Sequence, residues 1–149
     1  MHIEVMSRRE AIRLCYKPSG GRKVSMISIS APGDAYESHP VVRNGIKAIL
    51  PVSFFDVTKS SQAQPAITKE DADKIAQFIL FRRSKGCEDF VIHCDAGMSR
   101  SAGVARAMEV FFDLPESAVT YHHGNFANNT VFRMVLHSLV EQSGKTFKS

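Results

Sequence analysis

The sequence predicts an α/β fold with a central, mainly parallel sheet flanked by helices, and three observations predict it. Short β-branched and aromatic runs alternate with helical periodicities along the chain. One of those runs, at 90–93, passes through a loop into an amphipathic helix opening at Ser101, which is the strand-to-helix junction of a parallel unit. Length and composition suit one core: 149 residues with 44% hydrophobic content suffice for a single domain over 1–149 and not for two. No internal repeat or low-complexity linker divides the chain.

The elements follow in order. Ile3, Glu4, Val5 and Met6 form a short strand, and Ser7 is the N-cap of a helix reaching about Leu14. Residues 17–21, with Pro18, Gly20 and Gly21, break that helix. A second strand runs from Val24 to Ser30, and Pro32 and Gly33 turn the chain into a loop that carries Asp34. Residues 46–55 read as a third strand, interrupted or shortened near Pro51, that gives way to a polar loop at Asp56. Beyond Pro65, Thr68 is an N-cap with Asp71 three residues on, in capping-box style. The helix it starts carries Ala72, Ile75, Ala76, Phe78 and Ile79 on one face. After the strand at 90–93, a helix over 101–112 presents Ala105, Met108 and Phe112, and Val131, Met134, Val135 and Leu139 mark a last helix. Residues 143–149 are polar and expected to fray.

The chemistry concentrates in residues 91–103, where an apolar run delivers Cys94 and, six positions later, Arg100 followed by Ser101. A strand end facing a helix N-terminus leaves backbone N–H groups unsatisfied and adds the positive end of the helix dipole, so it holds anions. Asp95, Ala96, Gly97, Met98, Ser99 and Arg100 would wrap a phosphate with their amides, and Gly97 would permit the tight curl. The same field lowers a cysteine pKa, which makes Cys94 a thiolate nucleophile at neutral pH. Arg100 offers a planar fork of donors matched to two phosphate oxygens. Ser101 can donate to the sulfur and help it leave, while His93 orients the loop through its ring nitrogens.

His93, Cys94, Gly97, Arg100 and Ser101, spaced as His-Cys-x-x-Gly-x-x-Arg-Ser, resemble the signature loop of the cysteine-dependent protein tyrosine phosphatase superfamily. The Ser99-Arg100-Ser101-Ala102 ending resembles its dual-specificity branch. The resemblance implies a phosphotyrosine phosphatase-like fold and a metal-independent phosphomonoester hydrolase that works through a phospho-cysteine intermediate without a cofactor. Its substrate would be a phosphorylated protein or a small aryl phosphate. A rhodanese-like sulfurtransferase has a loop one residue shorter than the interval from Cys94 to Arg100, and the low-molecular-weight phosphatases carry the cysteine near the N-terminus. The alternative within the resemblance is a pseudophosphatase that binds a phosphoprotein without cleaving it.

Ester cleavage also needs a proton donor for the departing oxygen. Asp56 is the candidate, because the elements between it and Cys94 return both to the carboxyl edge of a parallel sheet. The resemblance agrees, since the family's acid precedes the cysteine by thirty to forty residues, although its frequent Trp-Pro-Asp is Phe54-Phe55-Asp56 here. If Asp56 merely caps a turn, Asp34 or Asp71 is next in line. Asn128 resembles the asparagine of a Pro-Asn element that orients substrate or water in some relatives; here Ala127 replaces the proline, and the turn-forming reading stands beside it.

The remaining features exclude classes. The net charge of +4 suits the steering of phosphorylated substrates. Arg9 and Arg13 at helical spacing read as a solvated face, and no zinc pattern or aromatic RNA motif accompanies the charge, so no nucleic-acid partner is expected. His122 and His123 are adjacent and should diverge, with no third ligand at metal-site spacing, so no metal is expected. No apolar stretch is long enough to span a membrane and no secretory signal opens the chain, which points to no membrane partner and a cytoplasmic location. Cys15 and Cys87 read as structural thiols in a reducing compartment, with Cys87 on the order of 20 Å along an extended chain from Cys94. Lysines are absent from the signature loop, and Asp95 would repel a polyphosphorylated head group. Oligomeric state is not encoded in any of these features.

Overall fold

A computed structural model describes residues 1–34 and 38–144. Strands β1 (His2–Ser7), β2 (Val24–Ser30), β3 (Ile46–Ser53), β4 (Asp89–Cys94) and β5 (Val119–Tyr121) form one sheet in the order β3-β2-β4-β1-β5. All four pairings are parallel. Helices α1 (Arg8–Cys15), α2 (Lys69–Ser84) and α3 (Arg100–Phe111) lie in the crossovers from β1 to β2, β3 to β4 and β4 to β5, a 3-10 turn (Glu116–Ala118) leads into β5, and α4 (Asn129–Ser143) follows it.

Alternation along the strands divides the core in two. Val5, Ile27 and Ile92 face a large cluster with Ile75 and Ile79 of α2, Val104 and Met108 of α3, and Val135 and Leu139 of α4. Met6, Met26 and Val91, one position along, face a smaller cluster with Ala11 and Cys15 of α1. Three helices therefore cover one face and α1 covers the other. The chain leaves β1 towards one face and β4 towards the opposite face, so the β1/β4 boundary is the switch point where open α/β sheets carry their sites. The register sets Ser7 directly beside Cys94 there.

Local chemistry starts the helices as the sequence predicts. Ser7 and Glu10 form a reciprocal capping box on α1, and Thr68 and Asp71 form another on α2. Four details differ from the sequence reading. Pro51 lies inside a continuous β3, because β3 is an edge strand and the missing N–H costs no ladder bond. That strand ends at Ser53 rather than continuing to 55. β5 has no counterpart in the reading, since three residues are too few to show a periodicity. Of the tail expected to fray, Ser143 closes α4 and Gly144 caps it in the left-handed conformation, whereas 145–149 lie outside the described residues. Among the described residues no helix is long and apolar enough to cross a membrane.

Candidate active site

Cys94 ends β4 and is 2% exposed. Its sulfur lies 3.0 Å from Ser101 Oγ, and the Gly97 amide donates to it over 3.3 Å. Burial pushes the Cys94 thiol up, but the Ser101 hydroxyl, the Ser101 and Gly97 amides and the Arg100 charge outweigh it, so the net displacement is downward. Three donors and one guanidinium charge thus favour the ionised form of this buried thiol.

The loop that follows is held from outside by its carbonyls. Asp95 O accepts from the Arg8 amide, Met98 O from Phe126, and Ser99 O from Asn128 and Gly103. A trans peptide directs N–H opposite to C=O, so the amides of Ala96, Ser99 and Arg100 turn the other way, into the loop. Ser99 precedes α3 without capping it, and no acidic residue occupies the first turn, which leaves the helix N-terminus open to an anion. Gly97 is required twice over: its φ is +73°, and a Cβ would meet Met6 C at 2.4 Å and Ser7 N at 2.6 Å, both backbone. Gly97→Ala is therefore expected to push the loop off β1 and lower turnover on the order of 100-fold, together with a lower thermal midpoint. Unchanged kinetics and melting would show that the loop tolerates another curl.

Arg100 opens α3 and is buried. Its Nη1 donates to the Phe54 carbonyl over 3.0 Å, which fixes the guanidinium against the end of β3. Its Nε has no partner, and it is the only such buried side-chain nitrogen or oxygen among the described residues. A buried N–H left unmade costs about 1–3 kcal/mol, which an anion in the loop would recover.

Asp56 stands at the same edge. Ser99 Oγ and Asn128 Nδ2 both donate to its Oδ1, over 2.8 and 2.9 Å, and no hydrogen bond among the described residues engages Oδ2. One carboxylate oxygen is thus anchored and the other is not engaged by any described residue. Asn128 also donates to Val57 O over 3.2 Å, while its Oδ1 accepts from the Thr130 and Val131 amides and caps α4. The Asn128 side chain thus both caps α4 and holds Asp56. Gly103 makes this possible, since a Cβ there would lie 2.9 Å from Asn128 O and 3.0 Å from Val131. The other two aspartates are engaged elsewhere: Asp71 in the α2 cap, and Asp34 with the Ala31 amide and, at 3.8 Å, with Arg8.

His93 is buried one residue before the cysteine. Its Nε2 pairs with Ser28 Oγ on β2 at 2.6 Å and its Nδ1 with Cys94 O at 3.1 Å, so it ties the loop's base to the sheet rather than to loop amides. Burial, with the Arg8 and Arg100 charges against it, holds the ring down to about 4 and hence neutral.

Arg8 is the site residue that sequence reasoning misses. It is buried, with its Nη2 3.5 Å from Asp95 Oδ1, whereas Arg9 and Arg13 are exposed as expected. Nothing local separates Arg8 from Arg9; the capping serine before it is the sole signal, because it fixes which arginine turns under the loop. The expectation that His122 and His123 diverge is corrected. Both meet Glu10, through Oε2 at 3.5 Å and through Oε1, and His122 Nε2 also reaches Glu4 at 2.8 Å, because the chain bends directly after β5. No group of three or more potential metal ligands occurs among the described residues.

No family model matches the sequence, and no curated protein matches it. Solved structures match the fold. PTPMT1 in complex with PI(5)P superposes with a TM-score of 0.53 at 16% identity, over 96% of this chain and 93% of that one. A mouse protein described as a dual specificity phosphatase, complexed with zinc tungstate, superposes at 0.57 and 16% identity, over 95% and 86%. The all-parallel five-stranded sheet, the switch point and these superpositions together give the chain a protein tyrosine phosphatase-like fold.

Proposed function

We propose that this chain is a metal-independent phosphomonoester hydrolase of the protein tyrosine or dual-specificity kind, acting through a phospho-cysteine. The observation that carries the reading is the buried, unpartnered Nε of Arg100 next to a thiol whose surroundings favour its charge. Cys94 Sγ attacks phosphorus in line, the S–P bond forms and the P–O ester bond breaks, and Asp56 Oδ2 gives its proton to the departing oxygen. Water then attacks the phospho-cysteine, Asp56 takes a proton from it, and Ser101 Oγ donates to the sulfur as the S–P bond breaks. Arg100 and the amides of Ala96, Ser99 and Arg100 hold the phosphoryl oxygens in both steps, the Gly97 amide stays on the sulfur, and Asp95 and Met98 contribute the outward carbonyls. The nucleophile has to stay reduced, which calls for a reducing compartment.

The leaving-group side supports an aryl substrate. A cavity bounded by Asp56, Ser99 and Asn128 has Phe126 as its wall. Phe126 is 65% exposed, the Met98 side chain beside it is also exposed, and the Phe126 amide binds Met98 O over 3.0 Å. Gly124 lies under the ring, where a Cβ would come within 3.0 Å of it. A phosphorylated tyrosine or small phenol could stack there. The signature loop supplies no lysine, and Arg8 offsets the Asp95 carboxylate without reversing it, so a phosphoinositide such as that bound to PTPMT1 is less well served.

Hydrolysis of p-nitrophenyl phosphate with EDTA present, and trapping of a thiol-linked phosphoenzyme, test the reading. Turnover that survives the chelator supports it. Phosphopeptide binding without turnover would favour the pseudophosphatase alternative. Phe126→Ala is expected to lower kcat/KM for aryl phosphates about 3- to 10-fold and to leave alkyl phosphates nearly unchanged. Equal losses on both classes would remove the stacking role.

A further inference from the structure

We propose that a cavity at the amino-terminal edge of the sheet, opposite the candidate active site, binds a small oligophosphate. The inference does not depend on the catalytic reading. The cavity measures about 390 Å³ and lies where β2, β3 and β4 begin and α2 ends. Asp89 in its wall and Cys94 are the first and last residues of β4, about 17 Å apart along an extended strand.

Charge pairing leaves the cavity positive. Asp89 is taken by Arg22, whose Nε and Nη2 donate to it over 2.8 and 2.9 Å, and Arg22 also meets Glu4 at 2.8 Å. Glu88 is taken by Arg83 and by the terminal ammonium at 3.1 Å. Both lining carboxylates are therefore neutralised. Lys23, Lys47, Arg82 and Lys85 line the same space, and among the described residues none of them has a carboxylate partner.

Arg82 gives the cavity a fixed back wall. Its Nε donates over 2.9 Å to Oγ of Ser25, which is fully buried on β2 and also lies 3.1 Å from Cys87 Sγ. Its two terminal nitrogens make no hydrogen bond among the described residues. A guanidinium held by one nitrogen, with the other two open, is a preorganised fork for phosphate oxygens. The lysines are exposed and add mobile point charges at the mouth.

The negative end of the α2 dipole accounts for cations at 82 and 85, as it does for Arg83. It does not account for Lys23 before β2 or Lys47 in β3, which reach the cavity from the far side. Gly21 and Gly86, both at φ +86°, keep the entrance free of side chains, and nothing lies within 4 Å of where a Cβ would stand. Lys85 Nζ also lies 5.4 Å from the centre of the Phe81 ring, which leaves its charge uncompensated by any carboxylate among the described residues. Four cations without a carboxylate partner exceed what one monoester phosphate neutralises, and the volume lies near the lower bound of ligand sites, so two or three linked phosphoryl groups fit best. The ligand is either free in solution or the phosphorylated head of a lipid.

The test titrates inorganic tripolyphosphate into the isotope-labelled full chain at low salt, followed by amide shifts. Wild type, Arg100→Met, the double variant Lys23→Glu/Lys47→Glu, and the single variant Lys85→Glu are compared. Shifts centred on Gly21, Gly86 and Cys87 that survive in Arg100→Met, and an affinity at least about 10-fold weaker in the double variant and lower in Lys85→Glu, are expected. The double variant should hydrolyse p-nitrophenyl phosphate as wild type does. Loss of binding in Arg100→Met, full affinity in the double variant, or no binding by wild type either to tripolyphosphate or to phosphatidylcholine vesicles carrying phosphatidylinositol bisphosphate would each overturn the proposal. Sedimentation with those vesicles that the double variant loses identifies the lipid source, and binding of tripolyphosphate alone identifies the free one.

Discussion

Replacing Cys94 by serine is expected to lower turnover of aryl phosphates on the order of 10⁴-fold or more while the fold stays intact. A serine hydroxyl in the same cradle keeps its proton at neutral pH. Burial of the cysteine opposes its ionisation, but the Ser101 hydroxyl, two amides and Arg100 together displace its pKa downward. The thiolate is the deprotonated form, so it is populated above that lowered pKa, and both activity and alkylation by iodoacetamide should rise at a pH below the ordinary thiol value. Ser101→Ala removes the largest of the lowering contributions and should shift that rise to higher pH. An alkylation midpoint at the usual thiol value in wild type, or substantial turnover in Cys94→Ser, would defeat the assignment.

Asp56→Asn carries the second large effect, and its size should depend on the leaving group. For an alkyl or unsubstituted phenyl phosphate the departing oxygen needs a proton, and the loss should be about 10²- to 10⁴-fold. For p-nitrophenyl phosphate, whose leaving group is stable as an anion, it should be much smaller. Asn128→Ala should show a milder version, about 10-fold in kcat with little change in KM, because it frees Asp56 Oδ1 while also removing the α4 cap worth about 1 kcal/mol. A uniform loss across leaving groups in Asp56→Asn would mean that Asp56 only holds Ser99 and Asn128 in place.

Asp56 and its anchor show why part of this site escapes a linear reading. Asn128 and Asp56 are 72 residues apart, and the bond between them exists because Gly103 lets α4 pack close on α3. Ser99 belongs to the legible loop, yet that its hydroxyl turns to Asp56 instead of capping α3 follows from where β3 ends. Arg8 looks like its neighbour Arg9 until the β1/β4 register sets Ser7 beside Cys94 and turns Arg8 under Asp95. The cations of the opposite cavity come from three separate segments and form no motif.

By itself the sequence determines the alternating α/β order, the N-caps at Ser7 and Thr68, and a loop that sets a thiol, a guanidinium and a hydroxyl within eight consecutive residues. All of these are local, encoded in side-chain periodicity and in contacts between near neighbours along the chain. Tertiary structure alone decides which aspartate meets the loop, what holds it, where the orphaned Arg100 donor is aimed to be useful, and which cations are left unpaired. The reason is physical: hydrogen bonds and ion pairs act over a few ångströms, and only strand register and helix packing bring residues tens of positions apart within that range.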